Sequence, residues 1–130
     1  MTSPTALIIE HDKKLAKIFS FALQRVNFTT EIIEDGQTAL ARLNDTTPAL
    51  IVLDLHLPQV SGKTILRRIR NSQRLANTRV MLATADARMA DSVRNEADLV
   101  LLKPISVNLL RHLAVQLQTL NNFVREPESG

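Results

Sequence analysis

Five short apolar runs, each followed by an amphipathic stretch, recur along the chain: Ala6 to Ile9, Thr30 to Ile33, Leu50 to Leu53, Val80 to Ala83 and Leu99 to Leu102. They read as continuous rather than alternating, as strands covered on both faces should. Parallel strands need long crossovers, and a helix between each pair supplies them. The intervening segments carry helix-start residues: Asp12 before KKLAKIFSFAL, Asp35 before GQTALARL, Ser61 before GKTILRRIR, Asp86 before ARMADSV and Ser106 before VNLLRHLAVQLQTL. Each can accept hydrogen bonds from the open first-turn amides of the helix it precedes. Leu15, Ile18, Phe19, Ala22 and Leu23 share one face of the first helix, and Leu109, Leu113, Leu117 and Leu120 one face of the last. The pattern predicts an α/β fold, a doubly wound five-stranded parallel sheet with five helices.

A chain of 130 residues can bury a core without cross-links. Residues 1–125 are expected to form one domain, and 126–130 a flexible, solvated C-terminal tail. The absence of cysteine excludes disulfides, thiolate zinc sites and thiol catalysis, and agrees with a reducing, cytoplasmic setting. No basic-flanked apolar segment suggests a secretion signal, and no run is long enough to span a membrane. The 16 basic residues against 13 acidic ones concentrate in KTILRRIRNSQR, residues 63–74. With no Tyr, no Trp and four Phe, base-stacking surface is lacking, so this stripe is expected to be a solvated helix face without direct DNA binding.

In open parallel sheets the functional crevice lies beyond the carboxyl ends of the strands. The residues that follow the runs there are Glu10, His11 and Asp12; Asp54, Leu55 and His56; Thr84, Ala85 and Asp86; Lys103 and Pro104. A carboxylate held at such an edge can attack phosphorus, which makes Asp54 the candidate nucleophile. Phosphoryl transfer demands positioning and charge neutralisation, met by a divalent cation and the Lys103 ammonium. Thr84 can donate its hydroxyl to the product, and small Ala85 leaves room for the phosphoryl group.

The pieces LIIEHD, LIVLDLHLP, Ser61–Gly62, LATADA and LLKPIS together resemble the receiver domain of two-component response regulators, over essentially the whole chain and in a single-domain form. The resemblance implies the flavodoxin-like (βα)5 receiver fold. It implies a phosphoryl group taken by Asp54 from a histidine kinase phosphohistidine or a phosphotransfer protein, with Mg²⁺ bound by Glu10, Asp54 and the His56 backbone carbonyl. Thr84 and Lys103 would then reshape the face made by the fourth helix, fifth strand and fifth helix, which would meet an unknown downstream protein or form a homodimer. Such a protein is a phosphoacceptor, not an enzyme, beyond promoting its own phosphorylation and dephosphorylation. A cis peptide before Pro104 is also implied.

Two positions depart from the family's pattern. His11 stands where a second carboxylate usually contacts Mg²⁺, and imidazole replaces a hard oxygen donor poorly. Glu10, one methylene longer than Asp, can compensate; Asp12 is a further candidate ligand, although its expected task is to cap the first helix. Val100 occupies a place where many receivers carry a rotating aromatic ring. His56 and Asp86 flank the expected path of hydrolytic water. An alternative is therefore an atypical receiver with weakened Mg²⁺ binding that works by protein contact without phosphorylation. His11, His56 and Asp54 also suggest the two-His-one-carboxylate set of Fe²⁺ sites, and His11 protonated near about pH 6 to 7 could stand in for the cation. A flavin carrier or a D-x-D phosphatase would need signatures that EHDKK and DLH lack.

Overall fold

A computed structural model describes residues 3–125. Strands β1 (Thr5–Ile9), β2 (Thr29–Ile33), β3 (Leu50–Asp54), β4 (Arg79–Thr84) and β5 (Leu99–Leu102) alternate with helices α1 (Lys13–Gln24), α2 (Gly36–Asp45), α3 (Gly62–Arg70), α4 (Ala87–Val93) and α5 (Val107–Arg125). Two single 3₁₀ turns, Gln73–Leu75 and Arg94–Glu96, complete the order. The five strands are parallel in the order β2-β1-β3-β4-β5, as the run-and-helix rhythm predicts. The tail expected at 126–130 lies outside the described residues.

All five helix starts fall where the capping residues place them. Asp12 accepts from the Lys14 and Leu15 amides, Asp35 from Thr38, Ser61 from Thr64, Asp86 from Arg88 and Met89, and Ser106 from Leu109. The sheet separates two apolar layers. One holds Leu7, Ile9, Ile51, Leu53, Ile65 and Leu82; the other holds Ala6, Ile8, Phe19, Leu23, Val52 and Leu110. Central β3 is buried at every residue, because both layers close over it.

Burial on both faces does not extend to the outer strands. At the sheet edges, β2 keeps Thr29 and Ile32 exposed, and β5 exposes Leu102. Glu31 on β2 is held by Arg42 of α2 through two bonds of 2.7 and 2.9 Å, which draw its carboxyl below the usual carboxylate range. That pair supports folding at neutral pH and loses its contribution as pH falls below 4.5, the ordinary glutamate value. Two helix faces are also rotated from their expected phase. Ile18 is 45% exposed, because it borders an open groove; in α5 Leu110 and Ala114 are the buried residues, while Leu109 is exposed. The side chains of Leu117 and Leu120 lie outside the described ones.

The basic segment 63–74 is only partly a solvated face. Arg70 donates to Asp98 (3.0 Å) and to the Glu96 and Thr78 carbonyls, and Asp98 also accepts from Arg79 (3.1 Å) and the Val80 amide (2.8 Å). Arg74 donates to the Leu43 and Thr46 carbonyls and to the Thr47 hydroxyl, closing the end of α2. Arg67 and Arg68 stay exposed. These arginines turn inward because the amino-terminal edge of the sheet leaves carbonyls and Asp98 in need of donors. Asp98→Ala is expected to cost about 2 kcal/mol in urea unfolding, since it removes the carboxylate that Arg70, Arg79 and the Val80 amide share. Arg68→Ala, which loses only an exposed contact to Asn44, is expected to stay within about 0.5 kcal/mol.

Candidate functional site

The parallel register brings the ends of β1, β3, β4 and β5 to one edge. Asp54 aligns with Ala83, so Thr84 lies one residue beyond, and Thr84 aligns with Leu102, so Lys103 follows. Glu10, Asp54 and Thr84 are all buried, although each ends an apolar strand. Burial of two carboxylates this close requires a cation, and Lys103 supplies it. Its ammonium lies 3.0 and 3.2 Å from the two Glu10 oxygens and 3.7 Å from Asp54 Oδ1.

Backbone groups aim the remaining atoms. The His56 amide donates to Asp54 Oδ1 at 2.9 Å, and the Asp12 amide donates to Glu10 Oε2 at 3.1 Å. Glu10 Oε1 is buried without a hydrogen-bond partner among the described residues, so the Lys103 approach to it is ionic and outside hydrogen-bond geometry. Burial holds the Glu10 carboxyl above the usual range, and the nearby Asp54 charge adds to this against the pull of the Asp12 amide and Lys103. Thr84 Oγ1 accepts from the Asp86 amide at 3.0 Å, while the Thr84 carbonyl accepts from the Lys103 amide at 2.8 Å. The Lys103–Pro104 peptide is cis.

Not every candidate joins this cluster. Asp12 is exposed, and Oδ1 is the atom that caps α1. His11 and the His56 side chain are exposed, and Asp86 caps α4. Among the described residues no group of three His, Cys, Asp or Glu side chains converges, so His11, His56 and Asp54 do not form a two-His-one-carboxylate set. Val100 aligns with Leu82 and packs, partly buried, against the core; Ala85 is exposed beside the site.

The residues fit a hard divalent cation. Two carboxylates and a backbone carbonyl suit Mg²⁺, which keeps several waters, and the unpartnered Glu10 Oε1 is an oxygen such an ion would satisfy.

A groove of about 620 Å³ opens next to Lys103, bounded by Asp12 and the first turns of α1 and by the segment from Lys103 to Val107. The exposed Ile18 lies in it with Ile105 and Val107. Its signal in the sequence was an isoleucine at the margin of the α1 apolar face.

The fold and this edge define a class that comparison with known proteins identifies. The model of the response regulator receiver domain matches residues 6–115, and the chain belongs to that family. It is 33% identical over 107 residues to the DNA-binding dual master transcriptional regulator RpaA of Synechocystis, covering 80% of this chain and 44% of that one. It is likewise 33% identical to the response regulator ArlR of Staphylococcus saprophyticus, covering 80% and 47%. The chain therefore spans less than half the length of these relatives. The signal receiver domain of a histidine kinase from Syntrophus aciditrophicus superposes with a TM-score of 0.80 at 27% identity, covering 98% of this chain and 97% of that one. Receiver domains are phosphoacceptor signalling domains that partner with histidine kinases or phosphotransfer proteins and generally bind Mg²⁺. Among the described residues no helix is long and apolar enough to cross a membrane.

A carboxyl raised in the folded state costs stability when ionised. The cost is absent below the ordinary value of 4.5 and complete above the raised one. Glu10→Gln is thus expected to melt higher than the wild type at pH 7, with the advantage shrinking as pH falls toward 4.5. A pH series of thermal melts on both proteins reads this, and an equal or lower Tm for the variant at pH 7 would show that Lys103 fully offsets the burial.

Proposed function

We propose that this domain is a phosphorylation-dependent switch that takes a phosphoryl group on Asp54 from a phosphohistidine and signals through a protein partner. The observation that carries the proposal is a buried Asp54 at the strand edge with Lys103 Nζ 3.7 Å away and the His56 amide on Oδ1. Both of these contacts fall on Oδ1, so Oδ2 is the oxygen they leave for the incoming phosphorus. In the transfer the P–N bond of the phosphohistidine breaks as an Asp54 oxygen takes the phosphorus, and the imidazole leaves with the electron pair. Bound Mg²⁺, held by Glu10, Asp54 and the His56 carbonyl, would supply charge neutralisation at the phosphoryl oxygens. Lys103 adds a fixed positive charge, and exposed Ala85 leaves the approach open.

Thr84 is placed to respond. Its hydroxyl now serves the Asp86 amide, and turning it to a phosphoryl oxygen would exchange one acceptor role for a donor role. The apolar groove beside Lys103 suits a helix of the phosphodonor, and Leu102 and Leu109 leave the α4–β5–α5 face open to a downstream protein or a second copy. Residues 1–125 would act as the receiver unit, in the cytoplasm, without direct DNA contact. His56 and Asp86, two residues after Asp54 and Thr84, would influence how long the phosphoryl group lasts.

With acetyl phosphate and Mg²⁺, intact mass is expected to rise by one phosphoryl unit, and Asp54→Asn should remove the gain. No gain with any divalent cation or phosphodonor would overturn the proposal.

A second reading is favoured by one observation: among the described residues no third carboxylate joins Glu10 and Asp54, and His11, which follows Glu10, is exposed. Metal binding would then be weak, and the domain would act by protein contact alone. His11→Asp is expected to tighten Mg²⁺ binding about tenfold, the scale of a change in metal surroundings. An unchanged affinity would show that the histidine never limits the site.

A further inference from the structure

The loop from Leu55 to Ser61 leaves Asp54 and reaches α3 through a strained turn. Gln59 has φ 72°, a left-handed backbone that side chains rarely adopt, and the Val60 amide donates across it to the Pro58 carbonyl at 2.8 Å. An i to i+2 bond around a positive φ is a γ-turn of the rare, strained kind. Such strain persists only where neighbouring structure over-determines it. Two glycines do so here. At the far end, the Gly62 amide donates to the Leu55 carbonyl at 3.1 Å, and a Cβ on Gly62 would fall 2.5 Å from the Asp54 carbonyl oxygen and from Leu55 Cα.

The other glycine comes from a different part of the chain. Gly36, first residue of α2, is buried under the middle of the loop. Its amide points to the Pro58 carbonyl at 3.5 Å. A Cβ there would lie 2.7 Å from Val60 Cβ, 2.9 Å from Val60 C and closest of all to the Val60 carbonyl oxygen. The obstruction is backbone, so no rotamer change relieves it. Helix α2 is itself anchored by the Asp35 cap and by buried Ala39 and Leu43, so its first residue is a firm stop.

We infer that Gly36 is a positioning residue: by letting the start of α2 seat against Pro58 and Val60, it clamps the strained γ-turn and so places the His56 carbonyl beside Asp54. The inference rests on the phosphoacceptor reading above, because it is that site which needs the carbonyl in place. Gly36 touches no reacting atom. It acts through a loop pinned at three points: the His56 amide on Asp54, Gly36 on Val60, and Gly62 on Leu55.

The test compares Gly36→Ala with Leu43→Ala, which loosens the buried face of α2 seven residues beyond the Gly36 contact. In metal-free protein, hydrogen exchange at the Val60 amide is expected to speed at least tenfold in Gly36→Ala relative to its global stability, and to follow global stability in Leu43→Ala. In a Mg²⁺ titration read by amide shifts at Asp54 and His56, Gly36→Ala should bind at least fivefold more weakly, and Leu43→Ala should remain within twofold of wild type. Val60→Gly, which loosens the same contact without a clash, should weaken binding in the same direction and serves if Gly36→Ala does not fold. Wild-type Mg²⁺ affinity in a folded Gly36→Ala or in Val60→Gly, or an equal loss in Leu43→Ala, overturns the clamp. If the wild type binds Mg²⁺ and accepts phosphate while the variants match it, the clamp alone falls. If the wild type does neither, the phosphoacceptor reading falls and the clamp with it.

Discussion

Two carboxylates, Glu10 and Asp54, are withdrawn from water at the ends of β1 and β3, and a single ammonium answers them. Much of the architecture serves that arrangement. Burial of carboxylates is tolerated only with a paired cation and directed hydrogen bonds, so β5 must deliver Lys103 beside β1 and β3 although β4 lies between β3 and β5. The turns after β1 and β3 must also offer backbone amides back to the same carboxylates, which Asp12 and His56 do. The raised Glu10 carboxyl is the physical signature of this incomplete compensation.

The lysine favours Glu10 over Asp54 by 3.0 against 3.7 Å. Glu10 is the longer of the acids that could stand at the end of β1, and its reach lets it meet the ammonium with both oxygens. Asp54 is left with one backbone donor and a more distant cation. The resting site is thus unequal: one carboxylate is occupied with charge balance, and the other stands farther from the ammonium.

Most of this was legible in the sequence for identifiable reasons. The five strands announced themselves by apolar runs, and the caps Asp12, Asp35, Ser61, Asp86 and Ser106 marked the helix starts, because both signals are local. The position of Asp54, Thr84 and Lys103 at one edge followed from the parallel arrangement alone. What escaped was tertiary. Ile18 and Leu109 fit an apolar helix stripe, yet the width of the buried face depends on neighbouring elements. Arg70 and Arg74 look like surface charge until Asp98 and the open carbonyls of the α2 end are brought against them. Nothing local distinguishes Gln59 or Gly36, whose significance arises from a contact between α2 and a loop over twenty residues away in sequence.

The two edges of the sheet put charge to opposite uses. At the amino-terminal edge, Asp98 accepts from Arg70, Arg79 and the Val80 amide, and every one of those bonds holds the fold together. At the carboxyl-terminal edge the charged groups are kept despite what they cost. Selection for heat resistance alone would preserve the first edge and erase the second, replacing acids with amides or apolar residues. Glu10 and Asp54 in so buried a setting therefore answer to something other than a durable fold.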